Sequence, residues 1–233
     1  MTIFYSPNIL ENSVLSEEES YHCTKVLRMK IGDLIEIIDG KGTLYKAKIV
    51  LPHHKHTQVD ILESCPGFGM SPYRLHLAVA PTKSIDRFEW LVEKAVEIGV
   101  WRITPLDCRY SERHRINVDR VERVVIAAAK QSLKAYVPQI DAMTSFEDFM
   151  NQSHYKQRFI AHCHQTSKEA LHRICKPHRD TVVMIGAEGD FSIEEVAVAE
   201  QNGFVSVSLS ESRLRTETAG VVATNIVALQ LNG

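Results

Sequence analysis

Beyond residue 74, short apolar segments typical of strands alternate with longer segments whose apolar residues recur three or four positions apart, as on one face of a helix. The clearest helix is Ser84–Ile98, which Gly99 ends. Strands separated by helices pair in parallel, because tight turns join only antiparallel neighbours. This alternation predicts an α/β fold with a mostly parallel sheet and helices on both faces. The predicted strands are Leu75–Ala80, Arg102–Pro105, Phe159–His162, Val182–Gly186 and Val205–Leu209.

Three further helices complete the pattern. Asn117–Leu133 carries apolar residues at helical spacing. Ser192, with Glu195 three residues later, forms a capping box at the start of a helix that Gly203 ends. The last segment, Thr218–Leu231, is apolar nearly all round, so we expect it to be buried in a core or a subunit interface.

The first 70 residues follow a different pattern, in which apolar and polar residues alternate over short stretches. Leu34–Ile38, Thr43–Val50 and Thr57–Leu62 are strand candidates of this kind, and Asp39–Gly42 has the composition of a hairpin turn. Short strands joined by tight turns predict a small β-barrel. Prolines and glycines in Ser64–Pro72 mark a boundary, so we expect a β-barrel domain at 1–70 and the α/β domain at 71–233.

Composition excludes several classes of protein. Of the 233 residues, 44% are hydrophobic and 24% are charged, as in globular chains, and no apolar run approaches the roughly 20 residues that span a bilayer. The first residues lack the basic and apolar regions of a signal peptide. Five cysteines without a CxxC pair argue against disulfides or zinc, and His53, His54 and His56 have no matching cysteine or carboxylate set. We expect a cytoplasmic protein that uses neither a metal nor a membrane.

Basic residues are concentrated in one segment, although 27 Lys and Arg against 29 Asp and Glu give a net charge of only −2. A local basic face on a nearly neutral protein suits contact with RNA phosphates. Ordinary ion pairs on a solvated helix face produce the same pattern, and the sequence leaves both interpretations open. The basic residues of this segment are Arg109, Arg113, Arg115, Arg120, Arg123, Lys130 and Lys134.

Three predicted strands run into loops of unusual composition. Gly186–Asp190 holds two glycines and precedes the capped helix, Ser210–Ala219 carries charged and hydroxyl side chains, and His162–His164 holds two histidines. Ligands of parallel sheets bind beyond the carboxyl ends of the strands, where these loops begin. Neither the GxGxxG pattern of dinucleotide sites nor a Walker A lysine is present. By itself, the glycine loop is either a tight turn or a cofactor loop.

Several motifs, in order along the chain, resemble those of a known family. IGAEGDFSIEEV at 185–196 and LSESRLRTETAG at 209–220 resemble the paired C-terminal motifs of the ribosomal RNA uridine-N3 methyltransferases, a family of the knotted SPOUT class that acts on small-subunit (16S) ribosomal RNA. HCTKVLRMKIGD at 22–33 is similar to the PUA-like RNA-binding domain of that family. The middle motifs are APTKSIDRFEWLVEKAVEIGV at 80–100, ITPLDCRYSER at 103–113 and AAAKQS at 127–132.

The resemblance implies a trefoil-knotted methyltransferase domain that follows a small PUA-like β-barrel. The loops of the knot would hold S-adenosylmethionine in a bent shape. It also implies a homodimer with each active site near the subunit interface, acting on small-subunit ribosomal RNA or the assembled small subunit. The cofactor-binding residues that it places are His162, Ile185, Gly186, Glu188, Gly189, Leu209, Ser210, Leu214 and Thr216.

Three positions depart from the pattern of the family. This chain has Ala187 where proline is usual, Asp190 where glycine is frequent and Ser210 where glycine is usual. A serine at negative φ costs little, whereas at positive φ it would strain the loop. The departures leave open a non-catalytic RNA-binding or ribosome-assembly module on the same scaffold. A methyltransferase of the same class acting on another RNA site is a second alternative.

The expected chemistry assigns roles to Arg215 and Glu217. The N3 nitrogen of uracil carries a proton; if its pKa is roughly 10, transfer to a glutamate of ordinary pKa, roughly 4.3, is uphill by about 8 kcal/mol. Arginine cannot act as a base, but it can stabilise the uracil anion. We therefore expect Arg215 to stabilise the uracil anion. Glu217 would either orient the Arg215 side chain or, with a raised pKa, accept a proton. A simple ion pair between the two, steadying the loop, is the alternative.

Basic residues on both predicted domains are candidates to hold the phosphates around the target. Those on the first domain, Lys25 and Arg28, are equally well explained as ordinary surface charges. A paired target uridine would have to leave its stack to reach the cofactor. The RNA-binding candidates are Lys25, Arg28, Lys83, Arg87, Arg109, Arg113 and Lys130.

Overall fold

A computed structural model describes residues 2–152, 155–177 and 179–231. The chain divides into two compact units. The first comprises the described residues up to Met70 together with Ile126–Val137, and the second comprises Ser71–Val125 together with those from Pro138 onward.

The first unit is built on a four-stranded mixed sheet. Its strands, in the order β1-β2-β3-β4 across the sheet, are β1 (Ile3–Tyr5), β2 (Leu34–Ile38), β3 (Thr43–Leu51) and β4 (Gln58–Pro66). β1 is parallel to β2, and the other pairs are antiparallel. Between β1 and β2 lie the short helices α1 (Ile9–Asn12) and α2 (Glu17–Tyr21) and a π-helical segment, His22–Val26. The predicted hairpin between β2 and β3 is confirmed, and its Gly40 and Gly42 have φ of 75° and 112°.

The strand β3 buries residues on both of its faces. Tyr45, Ala47 and Ile49 belong to one core, as their alternation predicts. Leu44, on the opposite face, belongs to a second small core that includes Ala135. The backbone N–H of Gly42 also donates to the carbonyl of Ala135 at 3.1 Å. These contacts group residues 126–137 with the first unit, whereas the sequence interpretation placed them in the α/β domain, because helical spacing does not show what the end of a helix contacts.

The second unit contains the predicted parallel sheet, and every pair of neighbouring strands in it is parallel. The order across the sheet is β10-β12-β9-β11-β5-β6-β7, with β8 paired to β6. The strands are β5 (Leu75–Val79), β6 (Arg102–Asp107), β7 (Gln139–Ile140), β8 (Thr144–Ser145), β9 (Gln157–Ala161), β10 (Glu169–Ala170), β11 (Thr181–Ile185) and β12 (Val205–Ser208). The two-residue strands β7, β8 and β10 were not predicted, because so short a segment shows no periodicity.

Among the described residues, five helices lie between these strands and a sixth follows β12. The predicted capping box is confirmed: Ser192 accepts from the N–H of Glu195, whose side chain accepts from the N–H of Ser192. The helices are α3 (Ile85–Ile98), α4 (Val118–Gln131), α5 (Phe146–Gln152), α6 (Leu171–Ile174), α7 (Ile193–Gln201) and α8 (Thr216–Leu231), and the residues of α4 from Ile126 onward belong to the first unit. Within the described residues, no helix is both long and apolar enough to cross a bilayer.

The last helix, α8, packs closely against α3. A Cβ atom on Gly220 would lie 2.5 Å from Cδ1 of Leu91, so any side chain there would force Leu91 to move. Ala223 and Val227 are fully buried in the second unit. Leu229, in contrast, is 67% exposed, so part of the apolar surface of this helix is not covered within the chain.

Replacing Gly220 by valine should destabilise the protein by about 1–3 kcal/mol, because the added side chain overpacks the α3–α8 contact. Denaturant unfolding measures the loss. Asn225→Val is the matched control, since Asn225 lies on the exposed side of the same helix. Equal midpoints for the two variants would contradict the proposed close contact.

Candidate active site

A cavity of about 760 Å³ lies at the carboxyl ends of β9, β11 and β12. The loops after these strands line it, together with Arg87 from α3 and the start of α8. This is the sheet edge at which the sequence places a ligand. Of the predicted cofactor residues, the lining includes His162, Ile185, Gly186, Glu188, Leu209, Ser210, Leu214 and Thr216.

Gly189 is the predicted cofactor residue that does not line the cavity. A Cβ atom there would lie 2.8 Å from Cβ of Tyr110, so packing against Tyr110 explains this glycine. Gly186 does line the cavity, and a Cβ on it would lie 3.0 Å from the backbone of Asp190 and Phe191. A side chain at Gly186 would therefore push apart the loop after β11.

Asp190 joins two of the loops around the cavity. Its φ is +69°, a region that aspartate tolerates better than most residues, which accounts for glycine as a frequent alternative. One carboxylate oxygen accepts from the N–H of Phe191 at 2.8 Å, and the other accepts from the N–H of Cys163 at 2.7 Å. The aspartate at position 190, where the family frequently has glycine, thus links the loops after β9 and β11.

The loop after β12 offers free backbone donors. Ser210 is not among the described residues with positive φ, so the strain considered for a serine there does not arise. Its hydroxyl accepts from the N–H of Ser212 at 3.2 Å. Within the described part of the chain, the backbone N–H groups of Leu209, Ser210 and Leu214 have no hydrogen-bond acceptor.

His162, which directly follows β9 and lines the cavity, is buried and neutral. The Ser206 hydroxyl donates to Glu200 at 2.6 Å, so it accepts from Nε2–H of His162 at 3.0 Å. The Lys168 ammonium donates to the backbone carbonyls of His162 and His164 and lies 3.4 Å from Nδ1 of His162. Burial, reinforced by the charge of Lys168, lowers the pKa of His162 to about 4.

Arg215 and Glu217 do not form the ion pair that was considered for them. Glu217 is buried, and its Oε1 lies 3.9 Å from Nε of Arg87, so Arg87 is its cationic neighbour. Arg215 is exposed and has no ion pair within the described residues. In this structure Glu217 lies in the first turn of α8 and faces α3, so its neighbour is Arg87 and not Arg215.

Four of the predicted RNA-binding residues are engaged inside their own unit. Lys83 pairs with Glu112 at 2.7 Å, and Arg109 pairs with Glu194 at 3.2 Å. The Arg113 guanidinium donates to the backbone carbonyls of Thr82 and Lys83 at 3.1 and 2.6 Å. Lys130 forms a partly buried pair of 2.6 Å with Glu19, so its charge is already paired within the first unit.

Lys25 and Arg28, in contrast, are exposed and form no ion pair within the described residues.

Sequence reasoning missed Lys168, which lines the cavity, because it follows β9 by seven residues in a loop with no motif spacing. No group of histidine, cysteine and carboxylate side chains that could hold a metal is found in the described residues.

Comparison with known proteins agrees with this architecture. An RNA methyltransferase domain model matches residues 69–228, and an RNA methyltransferase PUA domain model matches residues 15–62. The ribosomal RNA small subunit methyltransferase E of Buchnera aphidicola is 31% identical over 223 residues, covering 93% of this chain and 86% of the relative.

Two solved structures are similar over the whole chain. A probable rRNA-methyltransferase from Porphyromonas gingivalis has a TM-score of 0.93 and 36% identity, covering 100% of this chain and 99% of the other. A ribosomal RNA small subunit methyltransferase E from Neisseria gonorrhoeae, bound to S-adenosyl methionine, has a TM-score of 0.89 and 26% identity, covering 99% and 98%.

The parallel α/β unit with its carboxyl-edge cavity, joined to a PUA-type unit, is the architecture of an RNA-modifying methyltransferase. The chain belongs to the RNA methyltransferase family, among relatives named ribosomal RNA small subunit methyltransferase E. The predicted relation to ribosomal RNA small subunit methyltransferases and the predicted parallel α/β fold with an N-terminal PUA-type unit are thereby confirmed.

The neutral state of His162 predicts a pH dependence of stability. Its folded pKa of about 4 lies below the ordinary 6.5, so the unfolded chain binds a proton that the folded chain does not. The stability contributed by neutral His162 is fully present above pH 6.5 and is lost as pH falls through 4.

We expect the unfolding free energy of the wild-type protein to fall more steeply between pH 6.5 and 4 than that of His162→Gln. Glutamine does not titrate and can still donate to Ser206. Denaturant titrations at stepped pH measure both slopes, and parallel slopes would refute the assignment of a neutral, buried His162.

Proposed function

We propose that this protein methylates N3 of a uridine in small-subunit ribosomal RNA, with S-adenosylmethionine as the methyl donor. The observation that carries the proposal is the cavity built by the loops after β9, β11 and β12. The names of its relatives, and a solved relative bound to S-adenosyl methionine, support the substrate and the donor.

The residues present fit this cofactor. The volume of about 760 Å³ lies within the roughly 300–1,000 Å³ range of small-molecule sites. Gly186 lets the backbone approach a ligand, and the free N–H groups of Leu209, Ser210 and Leu214 are donors for its polar atoms. Ile185, Thr216 and Glu188 complete the walls. When bound, the cofactor supplies an electrophilic methyl group on its sulfonium.

The side chains divide the remaining work. His162, with a pKa of about 4, is far too weak a base for an imide of pKa roughly 10, so it positions the loop instead. Arg215, exposed beside the cavity and unpaired within the described residues, stabilises the uracil anion through its guanidinium. Arg87, whose Nε lies 3.9 Å from Glu217, is a second basic side chain at the cavity.

Several wider features belong to the same proposal. The C-terminal part of the chain is threaded into a trefoil knot, and two chains form a homodimer that covers the exposed apolar surface of α8 around Leu229. Lys25 and Arg28 contact RNA phosphates, since their charges are not neutralised by ion pairs. The protein acts in the cytoplasm, on free ribosomal RNA or on the assembled small subunit.

The direct test is methylation of ribosomal RNA in vitro. Purified protein, labelled S-adenosylmethionine and small subunits from a strain lacking the gene should yield labelled 3-methyluridine after digestion to nucleosides. Gly186→Val is the matched negative control, because its side chain would meet the loop backbone. Label in another nucleoside would refute the uridine-N3 assignment. No label, and no heat on calorimetric titration with S-adenosylmethionine, would support the non-catalytic alternative.

Arg215→Ala should lower turnover by about 10²–10³-fold and leave cofactor affinity nearly unchanged, because its charge is required where the anion forms. Arg213→Ala removes an equally exposed charge from the same loop and is the control. Single-turnover rates and calorimetry separate the two effects. An equal loss of rate and affinity would make Arg215 a cofactor-binding residue.

A further inference from the structure

A second cavity, of about 550 Å³, lies at the opposite, amino-terminal edge of the parallel sheet. Arg74, Trp101, Lys156 and Asp180 line it, and each immediately precedes a strand of the sheet. The methyl-transfer chemistry proposed above uses none of these residues.

The floor of this second cavity contains an unsatisfied acceptor. The hydroxyl of Thr104 donates its one proton to Asp141, so it accepts from Nε2–H of His76, 2.6 Å away. The other ring nitrogen of His76, Nδ1, is therefore an unprotonated acceptor, and it has no partner within the described residues. His76 is only 4% exposed. Burial and the nearby charge of Arg102 lower its pKa to about 3, so the ring is neutral.

Such an acceptor calls for a donor from outside the described residues. Nearly all buried polar groups in proteins are hydrogen-bonded to protein, water or ligand. Asp141 cannot help, because its carboxylate accepts hydrogen bonds, from Nε and Nη2 of Arg102 at 2.8 and 2.9 Å, and has no proton to donate. A ligand N–H group that reaches Nδ1, which has almost no solvent-exposed surface, would satisfy His76.

Aromatic side chains are prominent in the lining of this cavity. Phe149 and Tyr155 lie 5.4 and 5.2 Å from the His76 ring, centroid to centroid. Trp101 stands at the same cavity, with the Arg74 guanidinium stacked over it at 4.7 Å. Aromatic side chains and arginine planes are the surfaces on which unstacked bases bind.

The charges at this cavity favour an anion. Arg102 is neutralised by Asp141, whereas Arg74 and Lys156 form no ion pair within the described residues. They outnumber the remaining carboxylate, Asp180. A phosphate attached to the ring-bearing ligand would therefore find two cations.

We propose that the amino-edge cavity is a nucleotide site, in which an N–H group of the base donates to Nδ1 of His76 while the phosphate is held by Arg74 and Lys156. All four bases carry such an N–H group and a flat ring, so the site selects a nucleotide rather than a sequence. The nucleotide is either an unstacked residue of RNA or a free mononucleotide. The site is separate from the cavity that holds the methyl donor and does not depend on it.

Trp101 provides a direct probe of the site. The chain has two tryptophans, and Trp90→Phe leaves Trp101 as the only one. Uridine and guanosine 5′-monophosphates, a short oligouridylate and inorganic phosphate are titrated into this variant. We expect saturable quenching of Trp101 by the nucleotides and none by phosphate alone. Tighter binding of the oligonucleotide would identify RNA as the source, and tighter binding of a mononucleotide would identify the free nucleotide.

Two substitutions in the Trp90→Phe protein locate the binding. Arg74→Ala should weaken it about tenfold by removing the free cation, and His76→Phe should weaken it by removing the acceptor while keeping a ring of similar size. Arg173→Ala, an exposed charge on α6 outside the cavity, is the control and should bind like the parent.

The proposal is overturned if no nucleotide quenches Trp101 at millimolar concentration, if phosphate alone binds as tightly, or if both variants keep full affinity. Arg74 is exposed, so we expect the Arg74→Ala protein to fold. This variant therefore remains informative even if His76→Phe does not fold. Titration of the same proteins with S-adenosylmethionine is a separate readout, which should be unchanged by Arg74→Ala. If the parent protein did not bind S-adenosylmethionine, that result would count against the proposed methyl transfer and not against the nucleotide site.

Discussion

The parallel register of three strands is the constraint on which the active site depends. Ala161 of β9 lies beside Ile185 of β11 and Val207 of β12, so the loops that follow them begin at one edge of the sheet although they are far apart along the chain. The Asp190 carboxylate then ties two of these loops together through backbone amides. A side-chain carboxylate thus links two of the loops that line the cavity.

Much of this arrangement could be predicted from the sequence, because it depends on local patterns. The capping box at Ser192, the hairpin at Asp39–Gly42 and the helix ended by Gly99 are each set by a few neighbouring residues. The parallel sheet followed from the alternation of strands and helices, since topology leaves few other pairings. The carboxyl-edge location of the cavity followed in turn.

The side-chain partners could not be predicted, because they come from distant parts of the chain. Glu217 lies two residues from Arg215 but faces Arg87, since the start of α8 turns it towards α3. Lys130 belongs to a basic segment, yet its charge is used on Glu19, 111 residues away. A count of basic residues treats such a lysine as available to bind phosphate, but an ion pair within the fold can already occupy its charge. The amino-edge cavity could not be predicted either, because its lining residues are scattered along the chain and form no sequence motif.

The contact between Gly220 and Leu91 has a consequence for the evolution of this chain. With a Cβ at 220 only 2.5 Å from the leucine side chain, the two positions share one fixed volume. A larger residue at 220 requires a smaller or displaced side chain at 91. The order in which such paired changes arise is therefore constrained, with the shortening at 91 preceding the enlargement at 220.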